Sequence, residues 1–182
     1  MRLCWVVAGA SEAYAPDKLQ KIKSLGPIWG SWKTWRTWRT DNCVCHNDAT
    51  AHKLLQKNFQ QVANLFVPSS VHKTLPPSAN VLAYAGNLEH AFDNIEDLVA
   101  MHIAAEHSDL VLLIGFDFGL QKKFSKEYYG MLRGTIISHD VQWLAIDQDK
   151  FADPFSSLSN LTSDKLDKVL QYLMSLQVDN NE

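Results

Sequence analysis

Four stretches of the chain are apolar without interruption: LCWVVAG (3–9), VLAYAG (81–86), LVLLIGFD (110–117) and VQWLAID (141–147). None alternates apolar with polar positions. A strand wetted on one face alternates, whereas a strand covered on both faces does not. These runs, each bounded by Gly or Asp, therefore read as short strands of a buried parallel sheet. CVCH (43–46) reads as a fifth strand and LFVPSSV (65–71) as a weaker sixth.

Between the runs the period changes. Residues 49–66 place Ala51, Leu54, Leu55, Phe59, Val62, Leu65 and Phe66 on one stripe, the spacing of an amphipathic helix. Residues 91–106 do the same with Phe92, Ile95, Leu98, Val99 and Ile103. Residues 163–176 carry Leu166, Val169, Leu170, Leu173 and Leu176 after LTSD, which suits a helix start. A helix over 16–25 opens on Pro16, which is tolerated in a first turn. A helix over 120–136 is weakened by Gly130 and Gly134. Irregular structure is expected at 26–42 and 67–79, and a frayed tail from 177 to 182. Strands alternating with helices give an α/β fold: a Rossmann-like three-layer sandwich around a mostly parallel sheet of about four to six strands.

Composition narrows this picture only slightly. With 182 residues, one domain over 1–182 is expected, large enough to bury a core without staples. Hydrophobic residues at 46% and charged residues at 20% fit a soluble globular chain. The net charge of -3 disfavours a nucleic-acid partner, which calls for a basic excess. Three cysteines, an odd number, fit reduced thiols and a cytoplasmic location better than a disulfide scaffold. The apolar opening is too short for a membrane span, and it reads as a strand rather than a signal peptide.

Candidate chemistry sits where the apolar runs end, because ligands of open α/β sheets bind beyond the carboxyl ends of the strands. The first run ends in Gly9, Ser11 and Glu12; CVC ends in His46 and Asp48; VLAYA ends in Gly86, Asn87 and His90. LVLLI ends in Gly115 and Asp117, and the last run in Asp147. Glycines allow a ligand to approach the backbone, and free amides at a following helix attract anions. Equally, such residues simply terminate strands. His46 and His90 are candidate acid/base groups, since imidazole titrates near neutrality. The first turn holds one glycine where a dinucleotide fingerprint needs three, and no Walker lysine pattern occurs. Cys43 and Cys45 are one residue apart, closer than zinc ligands usually stand, so buried thiols are expected and no metal.

GSWKTWRTWRT (30–40) places Trp32, Trp35 and Trp38 every third residue, each followed by a cation: Lys33, Arg36 and Arg39. Such a segment can clamp a phosphate, stack a ring or form a subunit interface.

Three stretches in order, VVAGASEAY, TDNCVCHND and IGFDFG, resemble the Rossmann-like glycosyltransferase group that includes bacterial sialyltransferases and the flagellin-glycosylation and pterin-diphosphokinase relatives. The first turn here reads GASEAY where that group has Gly-Pro-Ser. The resemblance implies a nucleotide or nucleotide-sugar site lined by Gly9, Ser11, Asp48, Gly115 and Asp117.

Three functions follow as expectations. The first is a transferase-like enzyme acting on a phosphorylated small molecule or nucleotide. In it Asp117 and Asp48 hold ligand hydroxyls or a metal, His46 or His90 moves the proton, and Arg36 or Arg39 contacts phosphate. The second is a nucleotide-binding module without catalysis. The third is an assembly protein that forms homo-oligomers through Trp32, Trp35 and Trp38. Nothing in the sequence specifies a cofactor.

Overall fold

The structure, a computed structural model, describes residues 1–8, 15–84 and 95–179. Eight strands form a single sheet: β1 (Leu3–Val7), β2 (Ile28–Ser31), β3 (Asn42–Val44), β4 (Asn64–Pro68), β5 (Val81–Tyr84), β6 (Leu110–Ile114), β7 (Gln142–Ile146) and β8 (Leu161–Asp164). Every pairing is parallel. The spatial order is β5-β4-β3-β2-β1-β6-β7-β8. The chain thus builds outward from β1 as far as β5, crosses back, and builds outward again from the other side of β1. This is the doubly wound α/β architecture, with its reversal between β1 and β6.

The sheet is wider than expected because two of its strands carry no continuous apolar run. β2 is IWGS, inside the stretch read as irregular, and β8 is LTSD, read as a helix cap. β8 is an edge strand in which only Leu161 is buried, so burial had no need to mark it. In β2, Gly30 is required by close packing: a Cβ there would collide with the Thr34 hydroxyl and with Val7 of β1.

The described helices are α1 (Pro16–Leu25), α2 (Trp35–Trp38), α3 (Asp48–Gln56), α4 (Ser69–His72), α5 (Ile95–Glu106), α6 (Lys126–Ser138) and α7 (Leu166–Asp179). α1 begins at its proline as expected. α6 begins later than expected, at the Ser125 cap, whose side chain accepts the Tyr128 amide. The helix expected to run to residue 66 stops at Gln56. Asn58 adopts the left-handed conformation (φ 56), a 3-10 turn covers Phe59–Gln61, and β4 begins at Asn64. Phe59 and Leu65 do enter one common core, but from a turn and a strand rather than from one helix. α7 continues through Asp179, into the tail expected to fray.

The sheet is covered on both faces. α5 and α6 pack on one, over Val6, Val44, Val111, Leu113 and Trp143. On the other, α1 and α7 cover Trp5, Val7, Ile28, Leu112 and Ile146, and α3 with α4 covers Cys43, Leu65 and Val81. The side chains of Trp5, Trp38 and Trp143 are fully buried; burial of a large apolar side chain contributes of the order of 2–3 kcal/mol. α5 is buried along nearly its whole length, because the return from β5 to β6 carries it across the middle of the sheet. Among the described residues no helix is long and apolar enough to cross a membrane.

Candidate functional site

Strand order reverses between β1 and β6, the place where open α/β sheets bind ligands. Gly115 stands at this point, directly after β6, with φ 79, a conformation that favours glycine. The Ala8 amide after β1 donates to the Ile114 carbonyl at 2.9 Å. Gly9, Ser11 and Glu12, expected to form the rest of this turn, lie outside the described residues, as do Gly86, Asn87 and His90.

Along the same edge, about two strand spacings or roughly 10 Å from β1, lies a polar cluster. His46 follows β3, and its ring Nδ1 lies 3.0 Å from the Tyr84 hydroxyl at the end of β5. Its backbone amide donates to Glu96 Oε1 at 2.9 Å. Glu96 belongs to the first turn of α5 and is 7% exposed. Burial pushes its carboxyl above the ordinary range, although the His46 amide, the Lys33 charge and a hydrogen bond from the Trp32 side chain pull the other way. Burial, aided by the charge of Glu96, also raises the Tyr84 phenol, which stays protonated at any physiological pH. A buried carboxyl, an imidazole and a phenol thus converge from α5, β3 and β5.

Trp32 joins this cluster to a groove of about 890 Å³ on the face covered by α3. One side of the groove is the turn bearing Trp32, Lys33, Trp35 and Arg36. The other is the outer face of α3, with Thr50, Lys53, Leu54 and Lys57 at helical spacing. Among the described residues, four cations line it and no carboxylate does. None of Lys33, Arg36, Lys53 and Lys57 forms an ion pair among the described residues. In a chain of net charge -3, that local excess gives the groove a positive potential.

The remaining expected site residues are dispersed. Asp117 turns its carboxylate onto its own loop. Oδ1 accepts the amides of Gly119 (3.0 Å) and Gln121 (3.4 Å), and Oδ2 accepts the Lys123 amide (3.1 Å) and the Tyr129 hydroxyl (2.6 Å). Burial works against its charge, but these donors prevail and hold the carboxyl below its usual value. Its geometry is that of a loop clamp, with its oxygens committed to the protein. Asp48 opens α3, where it accepts from the Thr74 hydroxyl at 2.7 Å and faces His52 at 3.4 Å. Asp147 (φ 57) accepts the Leu166 amide at the start of α7, towards the far edge of the sheet. The Arg39 guanidinium stacks on Trp35 at 5.3 Å, so it braces the groove wall, whereas Arg36 lines the groove itself. Trp38 is fully buried, which leaves Trp32 and Trp35 as the two indoles of the segment that reach the surface.

All three cysteines are buried and unpaired. Burial pushes the Cys4 thiol up to about 11 and those of Cys43 and Cys45 to about 12. Thiols held protonated by burial are poor nucleophiles; among the described residues no group of three metal-binding side chains occurs.

Sequence reasoning missed Glu96, Tyr84, Lys53 and Lys57. A partial signal for Glu96 exists: IEDLVAM (95–101) is apolar except for Glu96 and Asp97, and an acid in such a run is a candidate for burial and for a functional role. Compared with protein-family models, with curated proteins and with solved structures, the chain matches none.

Proposed function

We propose that the protein binds a phosphorylated small molecule with a planar ring, of the nucleotide or nucleotide-sugar class, in the groove between α2 and α3. The reactive end of that molecule lies at His46. The observation that carries this reading is the position of Trp32, which walls the groove and stands near enough to the buried Glu96 of the neighbouring cluster to help lower its carboxyl. Phosphate oxygens suit cations that have no competing carboxylate, and Arg36 offers a planar fork. The indoles of Trp32 and Trp35 supply apolar wall for a ring.

The chemistry follows from the cluster. With Nδ1–H of His46 donating to the Tyr84 oxygen 3.0 Å away, Nε2 carries the free lone pair of the neutral ring. That nitrogen takes the proton of an acceptor hydroxyl as its oxygen bonds to the transferred group, and the proton then passes to the departing oxygen of the ligand. Glu96 positions His46 through its backbone amide rather than by touching a ligand.

The test is a thermal-shift and calorimetric screen against nucleotides, nucleotide sugars and inorganic phosphate. A ligand present at one hundred times its dissociation constant stabilises by about 2.7 kcal/mol. One nucleotide class is expected to shift the transition, and the double variant Arg36→Ala/Lys53→Ala to weaken its binding about tenfold or more. His46→Gln is expected to leave that binding intact while removing transfer to an acceptor. Binding that survives the double variant unchanged, or no binding at all, would overturn the reading.

A further inference from the structure

A second cavity, of about 540 Å³, lies on the opposite face of the sheet from the groove. It is formed by α6 and by the loops that follow β6 and β7. Lys126, Tyr129, Gly130 and Arg133 of α6 line it at spacings of three, one and three residues, which brings them to one helix face. Lys122 and Phe124 come from the first loop, Pro154 and Phe155 from the second.

Three independent features single this cavity out. The first is Arg133. Its Nε is buried and has no hydrogen-bond partner among the described residues, and its guanidinium forms no ion pair there. A buried donor on a permanent cation is costly unless an acceptor meets it. The second is Gly130, which lines the cavity and above which a Cβ would meet nothing within 4 Å, so the space over the helix is open at this point of the lining. The third is the loop. Lys122 holds a left-handed φ of 51, which is costly for a residue with a side chain. It is kept there between amides that Asp117 clamps on either side, those of Gln121 and Lys123. The single carboxylate in the lining, Asp153, accepts the Ser156 hydroxyl at 2.6 Å. The volume falls within the range of small-molecule sites.

We propose that this cavity binds a small organic anion with an apolar, ring-sized body. The anionic head meets Arg133, flanked by Lys122 and Lys126. The body lies over Gly130 against Phe124, Tyr129 and Phe155. Asp117, through the loop and the Tyr129 hydroxyl, is the positioning residue of this site.

The test uses naphthyl phosphate as probe, with inorganic phosphate and naphthol as its two halves, and calorimetry on the full chain. Naphthyl phosphate is expected to bind more tightly than either half. Arg133→Gln is expected to weaken it about tenfold or more. Gly130→Leu, which fills the ring space and favours the helix, is expected to abolish it while the circular dichroism and melting curve show an intact fold. Every titration is run in the groove variant Arg36→Ala/Lys53→Ala, so that the groove, itself assigned to a phosphorylated ring, does not contribute. The proposal is overturned if that protein does not bind the probe at millimolar concentration, or if naphthol binds equally well. It is also overturned if binding survives the addition of Gly130→Leu.

Discussion

Glu96 shows how one residue can serve a site at a cost to the fold. Its carboxyl is raised by burial, so the folded state favours the protonated form more than the unfolded chain does. The stability it contributes is therefore fully present below the unfolded carboxyl value, about 4.3, and is lost as pH rises through the higher folded value. Glu96→Gln removes that loss and keeps an oxygen to accept the His46 amide. The variant is expected to equal or exceed the parent in stability at neutral pH, and to lose this advantage on acidification. Urea denaturation midpoints over a pH series would show it. A variant less stable than the parent by the same margin at every pH would mean that hydrogen bonding, not charge burial, governs the position. Arg39 and Arg36 make a related point about what spacing conveys. They are three residues apart in a repeating pattern, yet one stacks on Trp35 and the other lines the groove. Arg39 ends α2 in the left-handed conformation (φ 51), and that turn of backbone is what separates their roles.

At the scale of elements, two glycines with the same composition value have opposite structural meanings. Gly134 lies on an exposed face of α6 with nothing within 4 Å of a Cβ. Gly134→Ala is expected to stabilise the protein by about 0.5–1 kcal/mol through helix propensity. Gly30 lies between the Thr34 hydroxyl and Val7, and Gly30→Ala is expected to cost about 1–3 kcal/mol by overpacking. Opposite shifts in the denaturation midpoint are the check, and a gain at Gly30 would show that β2 can move away from β1. The same contrast explains what was legible beforehand. β1, β6 and β7 are buried on both faces, so each left a continuous apolar run. β2 and β8 did not, because β2 is four residues long with a glycine and β8 faces water along most of its length. α3 was read too long because a 3-10 turn and a strand feed the same core as the helix, and periodicity records only which residues go inside. The candidate site was legible at His46, which follows an apolar run, and at Arg36, which stands in the repeat of tryptophans and cations. Tyr84, Glu96 and Lys53 join them only through the sheet order and the path of α5, neither of which is written in local spacing.

For the whole molecule, the sheet separates two concave surfaces, a cationic groove over α3 and a basic, aromatic cavity beside α6. The central position of β1 has a consequence for how the chain reaches this state. Leu3 pairs with Leu110, so the first strand made is completed by one that emerges more than a hundred residues later. A ribosome that has released β1 to β5 has delivered a half-sheet whose inner edge, the future seam with β6, is still open. Open strand edges recruit other chains, and pairing between distant segments is slow. A fragment ending at residue 109, just before β6, is expected to sediment as an associated species while the full chain refolds on dilution; a monomeric, cooperatively folded fragment would show that the half-sheet closes on itself. The middle of the finished sheet is thus its late joint, and nascent chains depend for protection on how quickly the second half follows the first.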